Sequence, residues 1–101
     1  MSNIALRAQG IAGVCGEELV ASVLRRLVEL EMGRYDLAID AARRELAPFE
    51  SRFGRDSISA WKSWQRGELG DDAEVMEWMA LTDNLRLLLE KRALLAADLE
   101  K

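Results

Sequence analysis

Two stretches of this chain repeat their apolar residues at helical spacing. Val28, Met32, Tyr35, Ile39, Ala42, Leu46, Phe49 and Phe53 follow one another in steps of 4, 3, 4, 3, 4, 3 and 4. Sustained over more than three heptads, that spacing keeps one stripe on an α-helix and reads as a coiled-coil-like seam. Trp78, Leu81, Leu85, Leu88, Arg92, Leu95 and Leu99 repeat the pattern in steps of 3, 4, 3, 4, 3 and 4, with Arg92 the one charged member. A charge on such a seam fixes register or pairs with the acid of a partner. Glu17 and Glu18 suit the positive end of a helix dipole. The pattern therefore predicts one helix from Glu17 to about Arg52 and another from about Ala73 to Glu100.

A second apolar line, Val20, Val23, Leu27, Leu30 and Leu37, widens the first helix onto an adjoining face. So wide a stripe points to more than one neighbour, with a second chain as the simplest candidate. Gly33 and Pro48 interrupt the pattern. Pro48 lacks a backbone donor, which predicts a kink near Arg44 or a fresh helical turn there.

The stretch from Phe49 to Trp78 joins the two patterns and holds all three tryptophans and both phenylalanines. Gly54 is placed to end the first helix. Asp56 or Ser57 can cap a short helix from Ile58 to Arg66, which Gly67 closes. Trp61 and Trp64 are three residues apart and share roughly one face of it. Either they close the end of a hairpin core over Phe49 and Phe53, or at least one is exposed as a partner-binding anchor with Leu69 as an apolar neighbour. Asp71 and Glu74 have the spacing of a capping box at the start of the last helix.

The expected fold is all-α: a long antiparallel helical hairpin with a short helix at its corner, assembling as a dimeric bundle. Its seam is Tyr35, Ile39, Leu46, Phe49, Phe53, Trp78, Leu81, Leu85 and Leu88. Residues 1–16 hold three glycines and read as a flexible or packed arm, with a short strand or helical turn open around Ile4 to Ala8. Residues 17–101 form the hairpin domain.

Composition narrows the chemistry. At 101 residues the chain is one domain, and a balance of 50% hydrophobic to 32% charged residues is that of a folded protein. Histidine is absent, which removes the commonest general base and metal ligand. Cys15 stands alone, so it forms no internal disulfide, and no neighbouring cation activates it; it reads as structural and fits a reducing cytoplasm. No apolar run approaches the ~20 residues that cross a bilayer. The net charge of −4 gives no excess to set against a phosphate backbone. The pairs Arg25-Arg26 and Arg43-Arg44 sit among acids and read as ion-paired helix surface rather than a nucleic-acid face. Glu68, Asp72, Glu74 and Glu77 keep open a carboxylate, metal-dependent hydrolase, but the facing helix lacks inward acids, since Asp36, Asp40 and Glu45 belong to neither seam. No metal, cofactor or catalytic residue is expected.

From Tyr35 to about Leu89 the chain resembles a group of small prokaryotic helical proteins. The shared pattern reads here as Phe49-Glu50, Phe53-Gly54, Trp61/Trp64, the turn Gly67-Glu68-Leu69-Gly70-Asp71-Asp72 and, four residues on, Glu77-Trp78. The glycine-rich start and Pro48 depart from it. The resemblance implies an antitoxin-like protein that neutralises a small toxin by binding it, and implies no catalytic residue. An acidic chain of this kind complements a small basic partner. The alternative is a self-contained structural or regulatory homo-oligomer.

Overall fold

The computed structural model describes residues 16–100. The expectations for the N-terminal arm, for Ile4 to Ala8 and for Cys15 lie outside the described residues. Three helices follow in order: α1 (Glu17–Phe53), α2 (Ser57–Gln65) and α3 (Ala73–Leu99). α1 and α3 lie side by side, and α2 packs across them at one end. Their directions are opposed. Arg25 near the start of α1 reaches the Leu99 carbonyl at the end of α3, and Arg52 near the end of α1 pairs with Glu74 at the start of α3. The hairpin measures 61 × 25 × 21 Å, with its long axis set by the 37 residues of α1.

α1 runs through Pro48 without a break, so no new helix begins there. At Gly54 the chain adopts φ 65°, a left-handed conformation that suits glycine, and the Gly54 N–H closes onto the Glu50 carbonyl at 2.9 Å. Two carboxylates then start α2. Asp56 is its N-cap and accepts from the Ser59 N–H at 3.0 Å, while Glu50 reaches over from α1 to accept from the Ser57 N–H at 2.8 Å. α2 ends in a Schellman motif. Gly67, at φ 76°, donates to the Trp64 carbonyl at 2.9 Å, and Glu68 N–H donates to the Ser63 carbonyl at 3.0 Å.

The start of α3 corrects the capping-box expectation. Asp72, not Asp71, is the N-cap and accepts from the Val75 N–H at 2.9 Å. Three residues past Asp72 stands valine rather than an acid, and Glu74 turns to Arg52 on α1 instead.

The core sits at the α2 end. Ile39, Ala42 and Leu46 of α1, Ala60 of α2, and Val75, Trp78, Met79 and Leu85 of α3 are buried. Trp78 is fully enclosed, with its indole parallel to the ring of Phe53 at 4.7 Å between centroids and to that of Phe49 at 6.4 Å. Trp78, not the α2 tryptophans, therefore closes the hairpin over the phenylalanines. Its N–H donates to the buried Ser57 hydroxyl at 3.0 Å, and the buried Thr82 hydroxyl donates back to the Trp78 carbonyl at 2.8 Å.

Of the expected seam, Ile39, Leu46, Trp78 and Leu85 are buried, and Tyr35, Phe49, Leu81 and Leu88 are half-buried. Phe53 lies at the rim, 37% exposed. In the third turn of α3 the fully buried position is Thr82 and not Leu81. Arg92 meets Asp36 of α1 in a two-pronged ion pair, so an acid of its own chain answers the seam charge, and Asp36 does belong to the α1–α3 interface.

Candidate functional site

Two surfaces merit a functional reading, one at each end of the hairpin. At the corner, α2 is capped at both ends and held on α3, which fixes Trp61 and Trp64 on one side of it. Their ring centroids lie 5.3 Å apart with the planes at 43°, a tilted aromatic pair. Both are half-buried and rest against the core. The Arg86 guanidinium of α3 lies 5.3 Å from the Trp61 centroid and is steadied by Asp83 at 3.0 Å and Glu90 at 3.8 Å. Leu69, from the turn after α2, is also half-buried and packs on the same core. The three residues expected to bind a partner thus all pack on the core, and of them Trp61 and Trp64 are in ring contact. Arg86 is the member that sequence reasoning missed. Its place over Trp61 depends on a contact between helices that no spacing reports.

Polar side chains on and beside α2 are tied down. Ser63 is buried and accepts from Arg55 at 2.8 Å and from Arg66 at 3.4 Å. Arg66 also grips Glu68 at 2.9 Å. The hydrogen bond from Arg66 holds the Glu68 carboxyl below its ordinary pKa and raises that of Arg66 in turn.

The acidic block does not converge. Glu68 is drawn to Arg66, Glu74 to Arg52 and Asp72 to the Val75 N–H, while Glu77 is exposed. Among the described residues, no three His, Cys, Asp or Glu side chains are grouped so as to hold a metal ion. Two grooves of about 240 Å³ open along the hairpin, one beside Tyr35 and Leu88 and one beside Val28 and Leu99. Both are smaller than the roughly 300–1,000 Å³ of a small-molecule pocket. No helix among the described residues is long and apolar enough to cross a membrane.

The second surface is the far half of the hairpin, beyond the reach of α2. There, among the described residues, α1 and α3 face each other with no third layer, and the side of α1 turned away from α3 carries large aliphatic residues. Val23, Leu27 and Leu30 are each a little over half exposed, and Leu37 is 72% exposed. These are members of the second apolar line, and nothing among the described residues covers them. On α3, Leu87 and Leu94 are exposed too.

The residues that carry the resemblance drawn from the sequence map onto the corner. Phe49, Phe53 and Trp78 stack, Glu50 caps α2, Gly54 ends α1, and Gly67 and Asp72 bound the turn. Each of these residues shapes the fold, so the motif speaks for an architecture more directly than for a ligand. Compared with protein-family models, curated proteins and solved structures, the chain matches none of them.

Proposed function

We propose that this chain is a non-enzymatic protein–protein interaction module, acting as the antitoxin-like member of a pair that binds and neutralises a small basic protein. The observation that carries the reading is the Trp61–Trp64 pair, half-buried on the core with part of each ring left to solvent, and held by a doubly capped helix and by Arg86. Rigid aromatic anchors lose little freedom on binding and dominate the energetics of interfaces. Leu69 packs on the same core, and the net charge of −4 favours encounter with a basic partner. Glu50, Asp56 and Asp72 near the corner serve caps, and Glu68 and Glu74 serve ion pairs, which favours binding as the use of this surface.

The experiment is co-expression of the untagged chain with the product of the adjacent gene, followed by calorimetry on the purified pair. The reading predicts a stoichiometric complex that Trp61→Ala with Trp64→Ala weakens by a hundredfold or more, as hot-spot residues do. A complex indifferent to both substitutions, or no complex, contradicts it.

A second reading, a structural or regulatory homo-oligomer, draws on a different observation: the exposed aliphatic side of α1 far from the corner. The two readings are compatible, because the surfaces they use lie at opposite ends of the hairpin.

A further inference from the structure

Building on the reading of the chain as an interaction module, we infer that a second copy of this chain covers the outward face of α1, joining two hairpins through their far halves into a four-helix arrangement. Val20, Val23, Leu27, Leu30, Arg34, Leu37 and Ala41 follow in steps of 3, 4, 3, 4, 3 and 4. This is a second heptad seam on the helix whose first seam already faces α3. From Val20 to Leu37 it extends about 26 Å, the length of a substantial helix–helix contact.

Self-pairing follows from the residues themselves. In an antiparallel twofold pairing of α1 with Leu27 opposite the other copy's Leu30, the same register sets Val20 opposite Leu37. It also sets the lone charge, Arg34, opposite an aliphatic Val23. A parallel pairing in register would instead place Arg34 against Arg34, which like-charge repulsion opposes. Charges in and beside the seam are already paired within the helix. Arg26 pairs with Glu29 at 3.7 Å and Arg34 with Glu31 at 3.5 Å, both within one helix. A strongly charged foreign partner finds no uncompensated run of opposite sign there, whereas an identical surface brings the same paired charges. Gly33 beside the seam has open space around the position of a Cβ, so a neighbouring helix can approach closely at that level.

The test is sedimentation equilibrium of the full chain over a range of concentrations, with circular dichroism as a check on folding. The expected species is a dimer of the 11.3 kDa protomer. Leu27→Glu with Leu30→Glu, both at exposed sites of the single hairpin, leaves helicity unchanged and weakens the dimer by roughly a hundredfold or more, as charges in a dry seam do. Arg34→Leu removes the one polar seam residue and tightens the dimer by about tenfold. Trp61→Ala with Trp64→Ala leaves the dimer intact. A chain that stays monomeric throughout, a dimer indifferent to the glutamate pair and to Arg34→Leu, or one broken by the tryptophan pair overturns the inference. Partner binding at the corner is read separately: if the dimer forms as described and the adjacent gene product does not bind, the antitoxin-like reading fails alone.

Discussion

The Trp78 indole donates to the Ser57 hydroxyl at 3.0 Å, with both residues withdrawn from water. That one bond ties the first residue of α2 to the second turn of α3 and lets a tryptophan sit fully inside so small a core. Ser57→Ala strands the indole N–H without water and is expected to cost about 1–3 kcal/mol in urea unfolding. Trp78→Phe removes the donor, so adding Ser57→Ala to it should cost less than Ser57→Ala does in the parent chain.

Truncating the other two tryptophans has a smaller effect. Trp78→Ala empties a stacked, enclosed site and should cost about 3–5 kcal/mol. Trp61→Ala and Trp64→Ala remove half-buried rings and should each cost clearly less, with the helical circular dichroism signal retained. Thermal melts of the three variants check the order.

Asp36 and Arg92 set the register of the far half across α1 and α3. Asp36→Arg puts two guanidinium groups together and is expected to lower the melting temperature. Asp36→Arg combined with Arg92→Asp should recover most of the loss. Both groups are largely solvated, so the effect should shrink as salt is raised.

Glu68 carries a modest pH dependence. Its hydrogen bond from Arg66 depresses the carboxyl pKa in the folded chain. Stability from that bond is therefore present above the ordinary glutamate range and is lost as pH falls through the depressed value. Carbon-detected titration of Glu68 should give a midpoint below that of exposed glutamates, and Arg66→Ala should return it to theirs.

Much of the hairpin was legible in the chain because helix periodicity survives where a helix buries one side. The α1 seam through Ile39, Ala42 and Leu46 and the boundaries at Glu17, Gly54, Gly67 and Ala73 all follow from spacing and caps. What periodicity could not report were contacts that depend on how helices meet. Asp36 looked surplus to both seams because its partner, Arg92, is on the other helix. Thr82 replaced Leu81 in the buried row because its hydroxyl is satisfied by the carbonyl of Trp78, which no apolarity pattern records. Asp72 rather than Asp71 capped α3, and Glu74 was drawn away by Arg52. At the corner, the spacing of Trp61 and Trp64 placed them together correctly, but their half-buried state depends on packing and on Arg86.

Amide hydrogen exchange along α1 tests most directly the claim that this chain works by being covered. In a lone hairpin, residues 19–37 have α3 as their one helical neighbour among the described residues and should exchange far faster than residues 39–46, which lie against the core. The account predicts that protection of residues 19–37 rises with protein concentration toward that of the core. It also predicts that the amides of α2 gain protection only when the adjacent gene product is added. Exchange in both regions that stays the same at every concentration, with and without that product, would contradict it.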